Sequence, residues 1–196
     1  MKKIIFATKN RGKIREVNHI LNNSVLELVS LLDLDNVPDI VENGLTFEDN
    51  AKIKAEIIFN TYSIPAIADD SGLTVEQLDG RPGVYSARYA GENASDEENN
   101  EKLLLELKDL AIPHHAKFVC SAVYYDGNKF QTAYGEVKGQ IIDKPRGNNG
   151  FGYDPLFLPD GYTVTSGELS LDEKNKISHR AIAFKKLKNL IVQSLE

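Results

Sequence analysis

Two hydrophobic rhythms alternate along the first half of this chain. The run KIIFAT, Lys3 to Thr8, is short, apolar and β-branched, which predicts a buried first strand. It is followed by RGKIREVNHILNN, Arg11 to Asn23, where Ile14, Val17, Ile20 and Leu21 recur at helical spacing. VLELVSL, Val25 to Leu31, predicts a second strand. A second helix is predicted after Thr46, an N-cap residue with Asp49 three positions on, and its apolar face is Phe47, Ala51, Ala55 and Ile58. The next strand, through Ile64 to Ala68, is expected to end at Asp69 and Asp70. Ser95 and Glu98 form a capping-box pattern ahead of a third helix with Leu103, Leu104 and Leu107 on its apolar face.

Beyond Ala116 the helical period is lost. AKFVCSAVYYDGNKFQTAYGEVKGQII has strand composition on both sides of Asp126-Gly127, a favoured hairpin turn, so the sheet is expected to be mixed rather than wholly parallel. Asp143 to Tyr162 is dense in Gly, Pro and Asn and reads as loop. Ser170 with Glu173 is a further capping box, followed by a long amphipathic run through Ile182, Leu187, Leu190 and Ile191. The fold class this predicts is α/β, a central mixed sheet flanked by helices, in one domain over 1–196.

Composition narrows the function. With 41% hydrophobic and 27% charged residues over 196 positions, the chain has the make-up of a globular protein able to bury one sizeable core. Its formal net charge of -6 argues against a surface built for a nucleic acid polymer, which needs clustered Lys and Arg. The single cysteine, Cys120, permits no disulfide framework and points to a reducing compartment. No segment approaches the roughly 20 apolar residues that cross a bilayer. A cytoplasmic location without membrane association is the expectation.

Four stretches carry candidate chemistry. ATKNRGK, Ala7 to Lys13, lies at a strand-to-helix turn, where free N–H groups and the helix dipole favour an anion and where Thr8, Asn10 and Lys13 add donors. It lacks the Walker A spacing, and a plain turn with a helix cap explains it equally well. Asp69 and Asp70 follow an apolar run, and an ionised carboxylate taken out of water needs donors, a cation or a metal. Hard oxygen ligands at a strand end suit Mg²⁺ on a phosphorylated substrate; the plainer reading is one carboxylate capping the Ser71-Gly72 turn and the other in solvent. Glu42, in a polar turn, is a candidate second acid, and Lys54 reads by itself as a snorkelling lysine. In GNNGFGYDPLF and EKNKISHR, the glycines permit close approach of a flat ligand, the rings of Phe151 and Tyr153 suit stacking on a base, and Asp154, His179 and Arg180 offer edge contacts. Rings acting as core anchors and an ordinary helix start are the alternative.

Taken in order, T-x-N-x-x-K after the first strand, A-D-D-S-G-L near residue 70, GRPGVYSARYAG, GFGYDP and EKNKISHR resemble the inosine triphosphate pyrophosphatase family, from Ile4 to about Ala183. Maf-like proteins share the opening strand, turn and helix, but the FGYDP and SHR segments resemble the triphosphatases. The resemblance implies an elongated fold of two lobes with the active-site cleft between them, usually a homodimer. It implies Mg²⁺-dependent hydrolysis of non-canonical purine nucleoside triphosphates (ITP, dITP, XTP) to monophosphate and pyrophosphate. By that resemblance Asp70 is the metal-bound acid that activates water, Glu42 a second metal ligand and Asp69 its support. The turn Thr8, Lys9, Asn10, Arg11, Gly12 and Lys13, with Lys54 and Ser71, holds the triphosphate. Phe151, Gly152, Tyr153, Asp154, Lys174, His179 and Arg180 receive base and sugar. Two positions depart from the pattern: Lys9 stands where many members have glycine, and Ser166-Gly167-Glu168-Leu169 replaces the more usual Ala-Glu-Leu. A nucleotide-binding sensor without turnover is the competing reading, but it has no need of carboxylates beside a triphosphate, which they repel unless a metal intervenes.

Overall fold

Six strands and five α-helices form in the structure, a computed structural model that describes residues 2–22 and 26–194. The strands are β1 (Lys2–Phe6), β2 (Leu26–Ser30), β3 (Ala66–Val75), β4 (His114–Tyr125), β5 (Phe130–Ile141) and β6 (Phe157–Pro159). The helices are α1 (Arg11–Leu21), α2 (Phe47–Tyr62), α3 (Asp96–Leu107), α4 (Leu171–Ile177) and α5 (His179–Gln193). Val25 and Asn23, at the edges of the second predicted strand and the first predicted helix, lie outside the described residues. The sheet order is β2-β1-β3-β4-β5-β6, with β1 parallel to β2 and β3, and β5 antiparallel to β6, so the sheet is mixed as predicted.

All three capping boxes form: Thr46 with Asp49, Ser95 with Glu98 and Ser170 with Glu173 each exchange side-chain and backbone hydrogen bonds at a helix start. The predicted hairpin turn closes through Asp126, whose Oδ1 accepts from the N–H groups of Asn128 and Lys129.

Three expectations need correction. β3 does not end at Asp69-Asp70 but runs on to Val75, because Leu73 and Val75 are buried and alternate with half-buried Thr74 in strand register. The loop region contains β6, a three-residue strand recruited by pairing with Gly139–Ile141. The C-terminal helical run is broken at Ser178, whose backbone is extended (φ −66°, ψ 150°) between α4 and α5.

The chain divides into two compact units. One comprises the described residues of Met1–Asp70, Cys120–Gly135 and His179–Glu196; the other comprises Ser71–Val119 and Glu136–Ser178. In the first unit the strand pleat sorts side chains onto two faces. Ile4, Phe6, Ile67, Cys120, Ala122 and Tyr124 join Val17 of α1 and Phe184 and Leu187 of α5 in one cluster. Their sequence neighbours Ile5, Ala7, Ala66, Ala68 and Val123 join Ala51, Ala55 and Ile58 of α2 in another. Phe6 and Phe184 meet edge to face at 5.5 Å, and burying each ring is worth about 1.5–3 kcal/mol. In the second unit Leu73, Val75, Ala116, Phe118 and Ile141 pack with Leu103 and Leu107 of α3, while Thr74, Lys117 and Glu136 stay half-buried.

Gly135 of β5 packs directly against the backbone of α5. A Cβ there would run into the carbonyl oxygen of His179 and the amide of Ala183 in α5. Gly135→Ala is therefore expected to destabilise the protein by about 2 kcal/mol, within the usual overpacking cost. Denaturant unfolding checks this, and an unchanged midpoint would contradict it.

Candidate active site

The first unit gathers most of the predicted phosphate and metal residues. The turn after β1 is held by Thr8, whose Oγ1 accepts from the Asn10 amide at 3.1 Å, and by Asn10, whose Oδ1 caps α1 by accepting from the Lys13 amide at 3.0 Å. The cap engages only the oxygen of the Asn10 side chain, and the Arg11 and Gly12 amides have no acceptor within the helix. Lys9, Asn10 and Arg11 are exposed, and Thr8, Gly12 and Lys13 half-buried.

Asp69 and Asp70 are consecutive on β3, so the pleat sends their side chains to opposite faces of the sheet. Asp69 turns toward α1 and α5. Its Oδ2 lies 3.1 Å from Lys13 Nζ and 3.2 Å from Arg180 Nε, and Arg180 Nη1 reaches Glu16 Oε2 at 2.6 Å. Burial alone would push the Asp69 carboxyl up, but Lys13, Arg180 and Lys54 outweigh it and hold the group well below the ordinary carboxylate range. Asp69 Oδ1 is buried without a hydrogen-bond partner among the described residues.

Asp70 turns toward α2. Asn50 Nδ2 donates to its Oδ2 at 3.0 Å, and Lys54 Nζ lies 3.4 Å from its Oδ1 and 2.8 Å from Glu42 Oε2. Here burial wins: it raises the Asp70 carboxyl above its ordinary value against the pull of Lys54 and Lys13, with Glu42 adding to the rise. Lys54 is itself raised, since the attraction of Asp70 and Glu42 exceeds the burial that opposes it. It is thus a buried partner of two acids and not a snorkelling lysine.

Sequence reasoning missed Glu16 and Asn50, respectively 2% and 0% exposed. Both carry a faint signal. Glu16 is three residues after Lys13, beside Val17 on the buried side of α1, and Asn50 is four residues before Lys54 on α2. His179 and Arg180 open α5 in this same unit, both buried. The assignment of Arg180 to a base edge meets a physical obstacle: Nε and Nη1 face carboxylates, so a base contact requires the guanidinium to give up one of them.

The second unit holds the remaining candidates. Asp154 Oδ2 accepts from the Phe151 amide at 2.9 Å and pairs with Lys174 Nζ, which lies 5.0 Å from the Phe151 ring centroid. Phe151 is half-buried. Tyr153 is 3% exposed, packs with Leu156 and Phe157, and donates its hydroxyl to the Ser86 carbonyl at 2.9 Å. Its surroundings are those of a core anchor, and of the two rings Phe151 is the more exposed. Ser71 begins this unit's part of β3 and is half-buried.

Among the described residues no group of three or more His, Cys, Asp or Glu side chains is placed to hold a metal. The donors that do converge are two carboxylates, Glu42 and Asp70, with one ammonium between them. Two hard oxygen donors fit a divalent cation that completes its shell with water and ligand oxygens, as Mg²⁺ commonly does. Among the described residues no helix is long and apolar enough to cross a membrane.

Residues 4–190 match the model of the Ham1 family. The dITP/XTP pyrophosphatase of Geobacter sulfurreducens is 49% identical over 191 residues, covering 96% of each chain. That of Bacillus subtilis (strain 168) is 48% identical over 193 residues, covering 97% of this chain and 98% of the relative. Among solved structures, a HAM1 protein from Coxiella burnetii aligns with a TM-score of 0.90 at 38% identity, over 98% of this chain and all of that one (100%). The Staphylococcus aureus Ham1 protein aligns with a TM-score of 0.87 at 40% identity, with the same coverage of 98% and 100%.

Proposed function

Because this chain belongs to the Ham1 family, we propose that it is a pyrophosphatase of non-canonical purine nucleoside triphosphates, releasing pyrophosphate and the monophosphate from ITP, dITP and XTP. The observation that carries the reading furthest is the contrast between two adjacent acids. Cations hold Asp69 ionised, while burial raises Asp70 above its ordinary value and makes its carboxylate the more basic of the two. One acid is thereby a fixed counter-charge and the other a base.

In this mechanism Lys13, Lys54, Thr8, the Asn10 amide nitrogen and the N–H groups of Arg11 and Gly12 bind the triphosphate, with Lys9 and Ser71 as further contacts. Glu42 and Asp70 are the residues that would hold Mg²⁺, which supplies neutralisation of phosphoryl oxygens and polarisation toward attack. Asp70 takes the proton of the water that attacks the α-phosphorus. Asn50 fixes the rotamer of Asp70, and Asp69 fixes the ammonium of Lys13. Phe151 stacks on the base, and Gly152, Asp154, Lys174 and His179 line the base and sugar. Hypoxanthine and xanthine carry a keto oxygen at position 6 where adenine carries an amino donor, so donors on that edge make ATP a poor substrate. The test is an assay of the purified protein with ITP, XTP, GTP and ATP and Mg²⁺, scored for pyrophosphate against orthophosphate. Orthophosphate as the product, or ATP cleaved as fast as ITP, would overturn the reading.

Lys13→Ala is expected to lower kcat/KM by at least about tenfold, and by a similar factor for every triphosphate, because a phosphate contact carries no information about the base. Steady-state kinetics on ITP and GTP check this; a loss confined to one base would contradict it. The resemblance in the motifs also supports a homodimer, which sedimentation of the purified chain tests. The one cysteine, buried and reduced, supports a cytoplasmic setting.

A further inference from the structure

Four polar residues of helix α3, Asp96, Asn99, Asn100 and Lys102, hydrogen-bond to backbone groups of two loops. Asn99 Oδ1 accepts from the Ala90 amide at 2.8 Å, its Nδ2 donates to the Ala87 carbonyl at 3.3 Å, and Lys102 Nζ donates to the Tyr89 carbonyl at 2.6 Å. This fixes the end of the GRPGVYSARYAG segment. One turn apart on the same helix, Asp96 and Asn100 both reach Gly152. The Gly152 amide donates to Asp96 Oδ2 at 2.6 Å, and Asn100 Nδ2 donates to the Gly152 carbonyl at 3.1 Å.

Gly152 follows Phe151 directly and has φ +61°, a conformation that glycine adopts without penalty and that gives the loop its sharp bend. Three polar groups of the Phe151-Gly152 backbone are therefore tied to side chains. Asp154 takes the Phe151 amide, Asp96 the Gly152 amide, and Asn100 the Gly152 carbonyl. Tyr153, next in the chain, is anchored through its hydroxyl at Ser86. A glycine-rich loop left to itself samples many backbone states, and a ligand that needs one of them bears the ordering cost on binding.

We propose that Asp96 and Asn100 are positioning residues for base recognition, holding the Gly152 peptide so that the Phe151 ring is presented ready to stack on the purine. The proposal rests on the reading of Phe151 as the stacking ring given above. Neither residue belongs to the elements that carry the proposed phosphate residues Thr8 to Lys13 and Lys54, so their loss is expected to weaken binding of substrate and transition state alike.

The test is steady-state kinetics with ITP on the full chain carrying Asp96→Ala, Asn100→Ala or Asp96→Asn, together with amide hydrogen exchange at Gly152. Each alanine variant is expected to raise KM about tenfold, the size of one well-placed hydrogen bond, with kcat within about twofold. Exchange at Gly152 should accelerate in Asp96→Ala. Asp96→Asn keeps a side-chain oxygen as acceptor and should restore both KM and protection. Wild-type hydrolysis of ITP with KM unmoved in both alanine variants overturns the proposal alone. So does a fall of kcat and Tm together without a KM change, which marks a merely structural pair. A wild-type chain that does not hydrolyse ITP overturns the functional reading and the proposal with it.

Discussion

Asp70→Asn is expected to lower kcat for ITP by about a thousandfold while leaving Tm unchanged or higher. The amide keeps the shape of the side chain and can still accept from Asn50, but it has neither the basicity to take a proton nor the charge to hold a cation. The stability half follows from the sign of the shift. Burial raises the folded-state value of Asp70, so above its unfolded value, near pH 4, the ionised carboxylate works against the fold. Replacing it with a neutral group removes that opposition, while Lys54 keeps Glu42 as its partner. Kinetics and thermal melts on one preparation check both halves. Turnover near that of the wild type removes Asp70 from the reaction, and a fall of Tm by several degrees contradicts the electrostatic account.

Arg180→Met should act in the opposite sense, on stability first. The guanidinium is 1% exposed and serves both Asp69 and Glu16, so its loss deprives two buried carboxylates of their shared cation. Breaking such an arrangement from one side costs about 3–5 kcal/mol. Adding Glu16→Gln should recover part of the loss by removing one buried negative charge, a coupling that a double-mutant cycle measures. The acid limb should move as well. Cations depress the folded-state value of Asp69, so its ionised form stabilises the fold above pH ~4, and that contribution fades as pH falls below it. With Arg180 gone the depression lessens, leaving less stability to be lost in acid. Urea unfolding across pH checks this; a single-variant loss under about 1 kcal/mol would refute the shared-cation role.

How much of this was legible in the sequence depended on range. The capping boxes at Thr46, Ser95 and Ser170 are local patterns of four residues, and all three helices start where they predict. Asp69 and Asp70 stood out because charges adjoining an apolar run demand partners. The partners themselves were only partly visible. Glu16 reads as an ordinary surface residue of α1 until Arg180, 164 positions away, is brought to it. Asn50 reads as one more polar residue in a first helical turn, although its amide is what orients Asp70. β6 went unseen because three residues among glycines and prolines form a strand only when β5 supplies the pairing. The extension of β3 through Ser71-Gly72 was hidden by turn chemistry that tertiary pairing overrode.

The pleat of β3 has a consequence for how this chain can change. Two acids that are neighbours in sequence occupy separate compartments of one unit, Asp69 with α1 and α5 and Asp70 with α2. Their hydrogen-bond partners are separate, and the charges felt on both sides are those of Lys13 and Lys54. An engineer could retune the proton affinity of Asp70 through Asn50 or Glu42 while the anchoring of Lys13 stays as it is, and natural drift has the same freedom. A strand that alternates its sides thus lets adjacent residues acquire different bonding partners.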